Sequence, residues 1–79
     1  MNTQTQKLAE FLLQNDDTES MALQLEAILT PSEITKIATR LEISRLLKEG
    51  VPQRQIAQQL GVGIATVTRG SRELKAGKF

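Results

Sequence analysis

The chain has 79 residues, with 10 Lys and Arg against 9 Asp and Glu, and it contains neither Cys nor His. A chain this short buries only about 60 % of its unfolded surface, and no disulfide or thiolate metal site can reinforce it, so dimerisation is the remaining route to a larger core. Without His or Cys, a metal centre or a catalytic constellation has almost nothing to build from, so neither an enzyme nor a metal protein is expected.

The longest apolar runs are a few residues, too short for a membrane span, and the opening MNTQTQK lacks an apolar signal core. The cytoplasm is the expected location. The net charge of +1 says little, but its distribution says more. Residues 1–30 carry one lysine against five acids, a balance of −4, and residues 31–79 carry nine Lys and Arg against four Glu, a balance of +5. A split of this kind suits a protein with one face on phosphates and another turned away.

In chain order, Leu8, Phe11 and Leu12 form a helical stripe within residues 4–14, with Leu13 beside them. Asn15-Asp16-Asp17 breaks that helix, and Asp17 or Thr18 can cap the next, whose stripe is Met21, Leu25, Ile28 and Leu29 over residues 19–29. Thr30-Pro31-Ser32-Glu33 is a strong helix start: Thr30 as N-cap, Pro31 as first helical residue, and Glu33 reaching back to complete a capping box. This third helix runs over 31–49 and stops at Gly50, with Pro52 beyond. Ile34, Ile37, Ala38 and Leu41 share one of its faces, whereas Ile43, Leu46 and Leu47 lie roughly opposite, at about 100° per residue. The buried side therefore switches near Arg40–Glu42. The first half is expected to pack on N-terminal helices, the chain's own or a partner's, and the second half on the helices C-terminal to it.

Residues 53–76 organise the rest. Ile56, Ala57 and Leu60 sit at helical spacing in a fourth helix, Gln53–Leu60, and Gly61 supplies a sharp turn. Val62 comes next, then Ile64, Val67 and Leu74 stripe a fifth helix from Ile64 to about Ala76, with Gly63 as N-cap and Gly77-Lys78-Phe79 as a tail. This is a helix-turn-helix, the unit that places its second helix in the DNA major groove. The expected fold is all-α, one domain over residues 1–79, with N-terminal dimerisation helices over 1–29, a central helix over 31–49 and the helix-turn-helix over 53–76.

Candidate DNA contacts come from that placement. Arg54 can reach a guanine edge or a phosphate, and Gln53 can donate to phosphate; the alternative is a solvated helix start. Ile64, Ala65 and Thr68 face the groove, their small apolar groups suiting thymine methyls, with Thr66 counted beside them. Ile64 could equally be core. Arg69, Arg72, Lys75 and Lys78 form a basic run suited to the backbone, although such a run also complements a helix C-terminus. Arg40 has an alternative as the ion-pair partner of Glu33, Glu42 or an acid of another chain.

Leu29-Thr30-Pro31, Thr39-Arg40, Gln53-Arg54 and the run Gly61-Val62-Gly63-Ile64-Ala65-Thr66-Val67-Thr68-Arg69-Gly70-Ser71 together resemble the tryptophan operon repressor family over about residues 27–75. The Thr-Arg-Gly-Ser ending is what generic helix-turn-helix proteins lack. The stretch ATRLEISRLLKEG is also similar to tryptophan-repressor-like proteins with no established ligand. The resemblance implies an intertwined all-α homodimer on a double-stranded DNA operator, with L-tryptophan as corepressor. It implies that the indole lies between Arg40 and Arg69, that Arg69 meets the carboxylate, and that the carbonyls near Ala27 and Leu29, with Thr30, hold the ammonium. Ile43, Thr66 and Gly70 would line the pocket, Gly70 leaving room where a side chain would fill the slot. Guanidinium planes stack on aromatic faces and pair with carboxylates, which is the chemistry such a ligand needs.

Three departures stand against the family pattern. Glu73 replaces a small Ser, where it could receive the ammonium or neutralise Arg69. The loop after Gly50 is one residue shorter, as in the ligandless relatives. The family has a further helix where this sequence reaches Phe79, which implies a smaller or differently packed dimer. The expected function is a sequence-specific transcriptional repressor with tryptophan as corepressor. The alternatives are a ligand-independent regulator of the same type and a small helical module that dimerises with a full-length repressor.

Overall fold

The computed structural model describes residues 2–79. Among these residues there are five helices and no strand: α1 Thr3–Leu12, α2 Thr18–Ile28, α3 Pro31–Lys48, α4 Gln53–Leu60 and α5 Ile64–Lys75. The all-α expectation holds. Each helix lies within two residues of its expected span, and the differences fall at termini, where the last turn frays. The chain divides into two compact units, Met1–Ile34 and Thr35–Phe79.

In the first unit the helix starts are fixed by side-chain caps. Asn2 Oδ1 accepts from the Thr5 amide at 2.8 Å, and Asp17 Oδ1 accepts from the Ser20 amide at 2.7 Å. Each cap satisfies one amide that the helix itself cannot, typically worth about 1 kcal/mol. Asn15 does more than break α1. Its Nδ2 donates to the Leu12 carbonyl at 3.1 Å and to Gln24 Oε1, while its Oδ1 accepts from Ser20 Oγ. The capping box forms in full: the Thr30 amide donates to Glu33 Oε1 at 2.8 Å, and the Glu33 amide donates to Thr30 Oγ1 at 3.2 Å. No residue of α1 or α2 is buried, and Leu8, Leu13, Leu23 and Ile28 stand exposed.

The switch of faces along α3 is present, with unequal halves. The second half buries Ile43, Ser44 and Leu46. The first half carries Ile37 and Leu41 at 41 % and 59 % exposure, so its stripe is left open in the single chain. Ser44, a polar residue on the buried side, donates its Oγ to the Leu41 carbonyl at 2.7 Å, which satisfies the hydroxyl without an outside partner.

The core of the second unit is Ile43, Leu46, Ile56 and Val67, with Leu47, Val51, Ala57, Leu60 and Val62 packed around it. Burying an Ile or Val side chain fully contributes about 1.5–3 kcal/mol, so these few residues dominate the unit's stability. Gly61 ends α4 at φ 66°, a left-handed conformation that costs a side chain and not glycine. The Val62 amide then donates back to the Ala57 carbonyl at 3.1 Å, turning the chain so that Val62 lies on the core and α5 can cross α4. The result is the expected helix-turn-helix.

Candidate functional site

The α4–α5 unit presents a polar and basic surface. Arg54 is exposed in the first turn of α4, and Ile64, Ala65, Thr66, Thr68, Arg69, Arg72 and Lys75 are exposed along α5. Ile64, which could have been core, is 51 % exposed at the first position of α5. Val67 on the opposite side is fully buried. Gln53 is half-buried because Thr68 Oγ1 donates to its Oε1 at 2.9 Å, a bond that ties the start of α4 to the middle of α5. Neither α4 nor α5 has a side-chain N-cap; their capping residues are Pro52 and Gly63. Among the described residues, Arg54, Arg69, Arg72 and Lys75 form no ion pair.

A cavity of about 290 Å³ opens between the second half of α3 and α5, lined by Arg40, Ile43, Ala65, Thr66, Arg69, Gly70, Glu73 and Phe79. It brings together Arg40, Ile43, Thr66, Arg69, Gly70 and Glu73, the six ligand positions expected in this unit. Ala27, Leu29 and Thr30 belong to the first unit, at the end of α2 and the start of α3. Arg40 and Arg69 carry no ion pair among the described residues of their unit, so both guanidinium groups are available to a guest. The acids that could have held them are engaged elsewhere. Glu42 pairs with Arg45, whose guanidinium hydrogen bond holds the Glu42 carboxyl below its ordinary range. Glu73 pairs with Lys78 at 3.1 Å.

Gly70 lines this cavity, and it also lies against α3. A Cβ built there would meet Ile43 Cγ2 at 3.0 Å and Leu47 Cδ1 at 3.6 Å. The missing side chain makes room for α3 against α5, and the slot gains its shape from that close approach. Phe79 was not foreseen in the lining. Its signal was the glycine two residues before it, which reverses the chain after α5. Ser71, buried in the middle of α5, is a second residue whose place the sequence pattern missed.

The sequence model of the family described as Trp repressor protein matches residues 3–78, nearly the whole chain. The chain belongs to the Trp repressor family. It is 43 % identical over 72 residues to the Trp operon repressor homolog of Vibrio parahaemolyticus serotype O3:K6, covering 90 % of this chain and 70 % of the relative. It is 41 % identical over 69 residues to the Trp operon repressor homolog of Xylella fastidiosa strain M23, covering 86 % and 75 %. No solved structure matches the chain. As a Trp repressor family member it is a regulator, and its all-α fold with a helix-turn-helix accords with that membership. Among the described residues no helix is long and apolar enough to cross a membrane, and no cluster of three or more His, Cys, Asp or Glu could hold a metal.

Proposed function

We propose that this Trp repressor family chain is a sequence-specific, DNA-binding transcriptional repressor that uses L-tryptophan as corepressor and acts as a homodimer in the cytoplasm. The observation that carries the sensing half is the cavity flanked by Arg40 and Arg69, two guanidinium groups with no ion pair in their own unit. The residues fit the ligand's chemistry. A flat indole is accommodated between guanidinium planes, and Arg69 meets the carboxylate through charge-assisted hydrogen bonds. Ile43 gives an apolar floor, and Glu73 offers a carboxylate on the same rim.

The DNA half rests on the exposed face of α4 and α5. Arg54 reads a base edge or holds a phosphate, Gln53 donates to phosphate, and Ile64, Ala65, Thr66 and Thr68 meet the groove. Arg69, Arg72 and Lys75 track the backbone. The open N-termini of α4 and α5 leave amides that a phosphate can accept from. Dimerisation is supported by the apolar side chains left exposed, Leu8, Leu13, Leu23, Ile28, Ile37 and Leu41, which a second copy would cover. One recognition helix per half-site then implies a near-palindromic operator with half-sites about one helical turn apart.

Because a ligand shifts an equilibrium only by its differential affinity, tryptophan must bind the operator-competent arrangement of α5 better than any other. Selection of bound DNA from a random pool, with and without L-tryptophan, tests both halves together. The expected result is a two-fold symmetric motif whose recovery requires tryptophan. Equal recovery without tryptophan identifies a ligand-independent regulator. No recovery at all overturns DNA binding.

A further inference from the structure

The segment after α5 is built to return. Gly77 takes φ 79°, its amide donates to the Leu74 carbonyl at 3.0 Å, and the Lys78 amide donates to the Glu73 carbonyl at 3.1 Å. These two bonds are the paired closure that reverses a chain at a helix end, and they need a left-handed residue at the position Gly77 occupies. A third contact fastens the reversal from outside: Lys78 Nζ lies 3.1 Å from Glu73 Oε2. The residue delivered by this arrangement is Phe79, which joins the lining of the cavity that Arg40 and Arg69 flank. The cavity keeps about 290 Å³ with the ring in place, near the lower end of the range of about 300–1,000 Å³ for small-molecule sites. Phe79 therefore bounds the cavity without filling it.

We infer that Phe79 is an aromatic wall of the ligand pocket and a determinant of its preference for an aromatic amino acid. This rests on the reading of the cavity as the tryptophan site. Arg40 and Arg69 stack on a flat guest and answer its carboxylate, but a guanidinium also accepts aliphatic amino acids that carry the same carboxylate. A phenyl ring adds an offset or edge contact that only an aromatic guest returns, an attraction beyond what area burial alone supplies. Glu73 has two roles here. It lines the cavity, and it holds the tail in place through Lys78 and through its own carbonyl.

The test is calorimetric titration of L-tryptophan and L-leucine into the wild-type chain and into Phe79→Ala, Phe79→Leu and Gly77→Ala. Circular dichroism melts confirm that each variant is folded. Wild type is expected to bind tryptophan and to prefer it over leucine. Phe79→Ala is expected to weaken tryptophan binding about 3- to 10-fold, the range that an aromatic pair gives, with little change for leucine. Phe79→Leu recovers only part of the loss. Gly77→Ala, which makes the left-handed turn costly, reproduces the Phe79→Ala result without touching the ring. Tryptophan binding by Phe79→Ala equal to that of wild type overturns the inference alone. Tighter binding overturns it too, because the ring would then compete for the slot. Absence of tryptophan binding by wild type overturns both the inference and the reading beneath it.

Discussion

Thr68 Oγ1 donates a hydrogen bond to Gln53 Oε1 at 2.9 Å, linking α5 to the first residue of α4. The bond uses the acceptor end of the Gln53 amide and leaves its NH₂ end to donate outward. Gln53 is thereby held by α5, the helix proposed to enter the groove. A phosphate donor that is prepositioned loses less side-chain freedom on binding, at about 0.5–1.5 kcal/mol for an immobilised long side chain.

Thr68→Val keeps the shape and removes the hydroxyl. It is expected to lower operator affinity about 3- to 10-fold, since a neutral hydrogen bond contributes about 0.5–1.5 kcal/mol. Gln53→Ala should lower it similarly, and the double variant should lose less than the two losses combined. Gel-shift titrations of the four proteins on one duplex measure that coupling. Additive losses would mean that the two side chains contact DNA independently.

Arg40→Ala and Arg54→Ala should separate sensing from DNA binding. Arg40→Ala is expected to abolish the tryptophan dependence of operator binding, because the cavity loses one of its two cationic walls. Arg54→Ala is expected to lower operator affinity with or without tryptophan. A base-edge contact shows as a loss of about 1–3 kcal/mol with relaxed sequence preference, whereas a phosphate contact shows as a uniform loss and a salt slope shallower by about 1. Operator binding at several salt concentrations, with and without ligand, reads both variants.

Gly70→Ala tests the close approach of α3 and α5. With a Cβ 3.0 Å from Ile43 Cγ2, the helices must part or Ile43 must move. Overpacking of this kind costs about 1–3 kcal/mol, which the urea midpoint would report. Ile43→Leu removes the Cγ2 branch, so adding it to Gly70→Ala should recover part of the loss. An alanine variant as stable as wild type would show that the contact is slack.

The pair Glu42–Arg45 sets a small acid dependence. The Glu42 carboxyl is held below its ordinary value of 4.5, first through the hydrogen bond from Arg45. A carboxyl whose folded pKa is depressed stabilises above its unfolded pKa, and that contribution is lost as pH falls through the folded value. Glu42→Gln should therefore lower the urea midpoint slightly at neutral pH and flatten its decline below about pH 4.5. The effect should fade in high salt, because the pair lies on the helix surface. A midpoint equally steep in acid would assign the decline to other carboxylates.

Much of this protein was legible from local sequence. Capping and periodicity act over three or four residues, so Asp17, Thr30-Pro31-Ser32-Glu33, Gly50 and Gly61 mark where helices begin and end through their near neighbours alone. The helix-turn-helix and the family membership were readable for the same reason, because the run from Gly61 to Ser71 is contiguous. Tertiary structure decided which side chains meet. That Gly70 lies against Ile43, that Ile64 is surface and not core, and that Phe79 reaches the cavity between α3 and α5 all depend on where one element lies against another. Spacing along the chain carries no information about that until the core around Ile43, Ile56 and Val67 has set the distance between α3 and α5.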